Sequence, residues 1–139
     1  MVDLVRHNMR RGTAAVEAAL MLPLVMFLTF ALLTYGWIFI KSGQINNAAR
    51  QGARVAARAD AEFADVQAII DTLMANAEIS GYIVDPLDVQ GSPAGTIMTV
   101  TITVPYAGTD VELISMPLFM PVPQKLKSVA SMLKEGLAG

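Results

Sequence analysis

The sequence of 139 residues contains no cysteine and a single histidine. The absence of cysteine excludes disulfides, thiolate metal ligands and cysteine nucleophiles, and one histidine excludes a zinc site built from several histidines. Charge is also scarce, since ten Lys and Arg residues against twelve Asp and Glu residues give a net charge of −2. This balance provides no general attraction to nucleic acid. No glycine-rich phosphate-binding loop occurs either.

The acidic residues do not form a pattern that is typical of catalysis or metal binding. Four of them follow the polar face of a predicted helix and four lie near predicted turns: Glu62, Asp65, Asp71, Glu78, Asp85, Asp88, Asp110 and Glu112. No loop has the ligand spacing of a calcium site. We therefore expect no enzyme, no metal and no cofactor. The alternative of a small membrane-bound enzyme or ligand-binding protein predicts a deep polar pocket.

What the sequence does contain is a long apolar run. Residues 18–40 include no charged residue, and the whole chain is 54 % hydrophobic with a mean hydropathy of +0.50. As a helix these 23 residues span roughly 34 Å, and a bilayer core is about 30 Å thick. The run therefore predicts a transmembrane helix, to which the rest of the chain is tethered as a small domain.

A short basic segment precedes this run. The first eleven residues contain three arginines, Arg6, Arg10 and Arg11, and one acid, Asp3. This positive charge favours a cytoplasmic N-terminus and an extracytoplasmic C-terminal domain. The apolar run exceeds the 7–15 residues of a removable secretory signal and lacks a clear small-x-small cleavage site. We therefore expect a retained anchor rather than a signal removed by signal peptidase.

Glu17 lies at the very start of the apolar run. A carboxylate at membrane depth costs about 2.5–3.5 kcal/mol at the bilayer centre and less near the surface. One interpretation is an interfacial residue at a helix N-terminus, where the helix dipole favours negative charge. The other is a carboxylate that has a partner in an assembly.

Gly12 is followed by Glu17 five positions later, with Arg10 and Arg11 before it and the apolar helix after it. This arrangement resembles the processing site of type IV pilin-like proteins. The fuller string, residues 11–20 followed by Leu22-Pro23, resembles TadE-like proteins, which are minor pseudopilins of the Flp/Tad pilus system. The region 47–54 (NAARQGAR) is also similar to TadE-like chains. Thr13 stands where the other type IV pilins have Phe, and Ala18 where many TadE-like chains have Phe.

The resemblance implies several functional properties. A prepilin peptidase would cut between Gly12 and Thr13, and Glu17 would become the fifth residue of the mature chain. The Glu17 carboxylate of one subunit would then neutralise the new amine of its neighbour in a helical assembly, which lowers the cost of both charges. The implied partners are the membrane, the peptidase, other pilins or pseudopilins and the pilus assembly platform, with no nucleic acid among them.

The membrane helix is predicted to continue outside the bilayer. Small residues recur every four positions in two adjoining stripes, and arginines form the next stripe: Ala48, Gly52, Ala56; Ala49, Ala53, Ala57; Arg50, Arg54, Arg58. The small face could pack on the chain's own domain or on neighbouring subunits. The predicted organisation is a leader at 1–12, a helix with its extension at 13–59 and a small domain at 60–139.

The small domain is predicted to be α+β. Asp60 is a candidate cap for an amphipathic helix that Ser80-Gly81 would end. A strand follows near Tyr82–Val84, and Pro86 restricts it to a sheet edge. Residues 96–106 alternate as a half-buried strand with a solvated threonine face. The segment 107–123 is a proline-broken apolar loop that is either tucked in or an exposed contact patch, and 124–136 fits a closing strand, with a helix as the alternative.

These features together predict a single-pass protein of a bacterial inner membrane, with a minor pseudopilin role in building an adhesive Flp/Tad-type pilus and possible incorporation in the fibre. The main alternative is an uncleaved, permanently anchored scaffold or sensor with a small extracytoplasmic domain.

Overall fold

The computed structural model describes residues 2–105 and 125–136, with side chains from residue 13 onward. This part of the chain contains two helices and three strands: α1 (Val2–Ala56), α2 (Phe63–Asn76), β1 (Ile83–Val84), β2 (Ile97–Pro105) and β3 (Lys125–Leu133). The predicted α+β class is therefore confirmed. The chain divides into two compact units, Met1–Gly36 and Trp37–Gly139. The predicted apolar loop at 107–123 lies outside the described residues.

The first unit is the N-terminal part of α1, which runs as one helix through Pro23. Its large apolar side chains are exposed: Leu20 by 73 %, Leu28 by 68 % and Leu32 by 75 %. Such a surface is stable only when another apolar phase covers it. The hydroxyl of Thr29 donates to the Val25 carbonyl at 2.9 Å, and Thr34 likewise bonds within the helix, so neither hydroxyl needs an external partner.

The second unit packs the last third of α1 against α2 and one face of the sheet. The small-residue stripes of α1 are buried in this core, together with α2 and β2 side chains: Ala48, Ala49, Ala53, Ala56, Val66, Ile70, Met74, Met98, Val100, Ile102 and Val104. A Cβ added at Gly52 would lie 2.9 Å from Ile70 Cδ1, which shows how closely the two helices approach. Of the two alternatives for the small face, packing on the chain's own domain is confirmed.

The ends of α2 differ from the prediction. Glu62, not Asp60, is the N-cap, because Glu62 and Asp65 form a reciprocal capping box, in which the Asp65 carboxylate accepts the Glu62 N–H at 3.0 Å. The Asp60 carboxylate instead forms an ion pair with Arg58, with 3.4 Å between Oδ2 and Nη2. The helix ends at Asn76 rather than at Ser80-Gly81, because Glu78 adopts a positive φ of 54° and closes the last turn.

The three strands form an antiparallel sheet in the order β1-β2-β3. β1 lies at an edge, as Pro86 predicted, and residues 125–133 form the closing strand rather than the alternative helix. β2 alternates as predicted, with Met98, Val100, Ile102 and Val104 buried. The opposite face is less solvated than predicted, because Thr101 on this central strand is only 8 % exposed.

Candidate cleavage, anchor and assembly site

The predicted cleavage bond, Gly12–Thr13, and Glu17 all lie within α1. Thr13 and Glu17 are four positions apart, so their side chains project from the same face of the helix, one turn from each other. They share this face with Val16 and Leu20. The predicted new amine and the predicted carboxylate therefore belong to one strip of helix surface.

Glu17 is exposed on an apolar helix surface. Its neighbours Val16 and Leu20 are exposed by 62 % and 73 %, and the side chains described here give Glu17 no ion pair, since the one pair among them joins Arg58 and Asp60. The carboxylate is thus placed where a bilayer or a neighbouring helix would contact it. Burial there favours either a position near the headgroups or an opposite charge.

The far end of the apolar run carries aromatic residues and a lysine. Tyr35 and Trp37 are about half exposed and Phe39 is 83 % exposed, an arrangement that is typical of anchoring at a bilayer interface. The Lys41 ammonium lies 5.2 Å from the centroid of the Trp37 ring, within cation–π range. Among the described residues, α1 from Thr13 to Ala56 is the one helix long and apolar enough to cross a membrane, and an 18-residue window within it has a mean hydropathy of 2.2.

Lys41 has a role in the fold that its sequence position does not predict. Its side chain is only 4 % exposed, and Nζ donates to the Ala77 carbonyl at 2.6 Å. Ala77 ends α2, so the ammonium stabilises the negative end of that helix dipole. A lysine that directly follows an apolar run signals a membrane boundary, but no sequence pattern could indicate its partner 36 residues later. Lys134 makes a similar buried bond to the Val89 carbonyl.

Two of the acidic residues form hydrogen bonds that stabilise the second unit. Asp88 Oδ1 accepts the Gly91 N–H at 2.8 Å and so closes a turn. Asp71 Oδ1 accepts the Tyr82 hydroxyl at 2.5 Å. Burial, with a smaller effect of this bond and of the nearby Asp71 charge, raises the pKa of Tyr82 to about 12. Among the described residues, no three His, Asp or Glu side chains converge as metal ligands.

The comparison with protein families gives a match over 43 of the 139 residues. The family model for TadE-like proteins matches residues 12–54. These residues are a TadE-like segment. It begins at Gly12 and ends within the buried stripe of α1, so the resemblance predicted from the sequence is confirmed there. No curated protein and no solved structure matches the chain.

The TadE-like match supports a protein associated with a Flp/Tad pilus. Members of this family are structural proteins of the pilus system rather than enzymes. Together with the apolar helix, the match indicates a membrane-anchored protein.

Proposed function

We propose that this chain is a minor pseudopilin that takes part in assembling a Flp/Tad-type adhesive pilus after a prepilin peptidase removes residues 1–12. The observation that carries the proposal is the TadE-like segment, in which Gly12 and Glu17 have the spacing of a pilin processing site. The basic residues before Gly12 favour an N-terminus in the cytoplasm. The bacterial inner membrane then holds the helix, and the second unit lies outside the cytoplasm.

The local physics of the helix is compatible with cleavage at this point. A peptidase has to reach a peptide bond whose carbonyl is bonded within a helix, so the helix must open locally. Glycine inside a helix is about 1 kcal/mol less favourable than alanine, and its missing Cβ leaves the backbone accessible. Gly12 therefore weakens the helix at the bond that has to be cut.

Glu17 has a defined task in this proposal. Cleavage creates an ammonium at Thr13, in or near the membrane, where an unpaired charge is costly. The Glu17 carboxylate of a neighbouring subunit neutralises it, so both charges become tolerable only in the assembly. This gives a physical reason for an acid at the start of an otherwise uncharged helix.

The mass of the native chain, purified from membranes and measured intact, tests the cleavage. We expect a chain that begins at Thr13, whereas a chain that begins at Met1 or Val2 points to the uncleaved scaffold or sensor. Gly12→Ala should retain the leader, because it adds a Cβ at the cut and strengthens the helix there. Gly36→Ala is the matched control in the same helix, since nothing lies within 4 Å of a Cβ at Gly36, and it should be cut normally.

Glu17→Ala tests the assembly role. We expect the variant to insert and to be cut, but to be recovered in the fibre fraction at a small part of the wild-type level, because the neighbour's amine stays unpaired. Glu17→Gln keeps the shape without the charge and should fail equally, whereas Glu17→Asp should retain partial assembly. Normal assembly of Glu17→Gln would remove the proposed role, and a chain lost from the membrane would point to anchoring instead.

A further inference from the structure

α2 runs back along α1 toward the membrane end of the second unit. The short connection 57–62 joins the two helices at one end, and Gly52 faces Ile70 near the middle. At the other end Lys41 Nζ donates to the Ala77 carbonyl. Residue numbers therefore fall along α1 as they rise along α2, and the last turn of α2 lies at the level where the apolar run ends.

The direction of the Lys41 side chain defines more closely where the end of α2 lies along α1. Side chains on a helix tilt toward its N-terminus, which for α1 is toward the bilayer. The ammonium accordingly lies over Trp37, four residues nearer the membrane. The Ala77 carbonyl that accepts its hydrogen bond is thus level with Trp37–Lys41, the segment that carries the interfacial aromatics.

The sheet also has an end that faces the membrane. Near the distal end, the Glu135 N–H donates to the Ala57 carbonyl at 2.7 Å, and closer to the membrane the Ser128 hydroxyl bonds to Asn46 Oδ1 at 3.2 Å. β3 therefore begins at the membrane side. Lys125 precedes Ser128 by about 10 Å at 3.3 Å per residue, and Asn46 is about 7.5 Å along α1 from Lys41, so β3 begins near the level of Lys41.

Charge is distributed unequally between the two ends. Among the residues that the structure describes, Lys125 and Lys127 are exposed on one face of β3 at the membrane end, and Glu78 is the exposed acid at the end of α2. The distal end carries a larger group of exposed acids, and one of them already pairs with Arg58: Asp60, Glu62, Asp65, Asp88 and Glu135. A basic end turned toward a bilayer matches the negative surface of anionic phospholipids.

We propose that the membrane-facing end of the second unit rests on the bilayer surface and that Lys125 and Lys127 bind anionic phospholipid headgroups there. Lys41 is the positioning residue, because its bond to Ala77 holds the end of α2 at headgroup level. This inference goes beyond the pilus role and depends only on the membrane anchor.

Depth measurements on the full chain in vesicles test the proposal. Because the chain has no cysteine and one tryptophan, Asn76→Cys carries one fluorescent label at the end of α2, and Trp37 reports insertion in the same sample. Ala64→Cys is the matched control, exposed on the same helix about 18 Å away along its axis. Vesicles contain phosphatidylcholine with or without phosphatidylglycerol, and a lipid carrying a nitroxide on its headgroup serves as quencher.

We expect strong quenching at position 76 and little at position 64, with more quenching at 76 when phosphatidylglycerol is present. Lys125→Gln with Lys127→Gln should remove that increase. Each lysine near an anionic surface changes the ratio of surface-bound to unbound states of the second unit by about fivefold. Arg50→Gln with Arg54→Gln removes two exposed charges of α1 that lie farther from the membrane, and it should leave the increase in quenching at position 76 unchanged.

Two results would overturn the proposal, and they have different consequences. If Trp37 is quenched but positions 76 and 64 respond equally, or if the lysine variant keeps the full increase, the seating is wrong while the anchor stands. If Trp37 is also unquenched, the anchor itself is wrong and the seating falls with it. Neither readout involves leader cleavage or fibre assembly, so the pseudopilin role is judged separately by the mass of the chain.

Discussion

Tyr82 and Asp71 form the most perturbed titratable contact in the described part of the chain. The phenol donates to the carboxylate at 2.5 Å, and ionising the phenol would place a second negative charge beside that of Asp71. Burial is the larger cause and the Asp71 bond the next, and together they raise the pKa of Tyr82 from 10.0 to about 12. The contact joins α2 to the residue just before β1, so it helps to hold the sheet edge on the helix.

Linkage gives this contact a definite pH dependence. Above pH 10 an unfolded Tyr82 loses its proton while the folded one retains it, so the stabilisation is fully present below pH 10 and is lost as pH rises toward 12. We expect urea unfolding of the second unit to become easier over this interval, and Tyr82→Phe to flatten that trend. Ultraviolet absorbance of tyrosinate should lose its component near pH 12 in the variant. A wild-type Tyr82 that ionises near pH 10 would contradict the contact.

At the scale of elements, Gly52 determines how closely α1 and α2 pack. A Cβ there would lie 2.9 Å from Ile70 Cδ1 and 3.5 Å from Val100 Cγ1, so it would contact both α2 and the sheet. Alanine would improve the helix propensity by about 1 kcal/mol. The Ile70 methyl group has to move in exchange, and overpacking in a core costs about 1–3 kcal/mol.

We therefore expect Gly52→Ala to be neutral or to lower the free energy of unfolding by at most about 2 kcal/mol, and Gly52→Leu to separate the two helices and unfold the unit. Hydrogen exchange of the β2 amides measures this, because they are central to the core. Gly43→Leu is the control, since nothing lies within 4 Å of a Cβ at Gly43. Equal exchange in the two leucine variants would show that α2 is not seated on Gly52.

The elements themselves follow from periodicity, and their ends do not. β2 could be predicted because its apolar residues alternate over nine positions, and the buried face of α2 because they recur at helical spacing. The sequence predicts Asp60 as the cap because an Asp precedes the apolar repeat, whereas the structure has Glu62 as the N-cap, in a capping box with Asp65. The sequence predicts the end of α2 at Ser80-Gly81, which is too late, because glutamate rarely adopts the positive φ that Glu78 has.

The same distinction applies to the candidate site. Gly12, Thr13 and Glu17 could be proposed from the sequence because a pilin processing site depends on local spacing, and their roles stay a prediction. Lys41 could not be, because its partner Ala77 is brought close only by the antiparallel packing of α2 on α1. Local motifs can therefore be recognised in the sequence of this chain, whereas contacts between distant segments can be identified only once the fold is known.

At the scale of the whole molecule, the two units have opposite relations to water. The second buries its apolar residues in a core, whereas the first exposes leucines along its length. A bilayer resolves this difference, because it covers the helix and leaves the core unit in water. The molecule should therefore be sensitive to charge in the middle of α1 and tolerant of a change in side-chain size there.

Leu28→Arg combined with Leu32→Arg tests this dependence near the centre of the run. Each exchange adds about 3–4 kcal/mol to the cost of insertion, so the pair adds about 6–8 kcal/mol. We expect the variant to lose its carbonate-resistant membrane fraction and to aggregate or be degraded. Leu28→Ala with Leu32→Ala removes the same side chains without charge and should remain inserted. If the arginine pair stays fully membrane-bound, the predicted contact of this part of α1 with lipid is wrong.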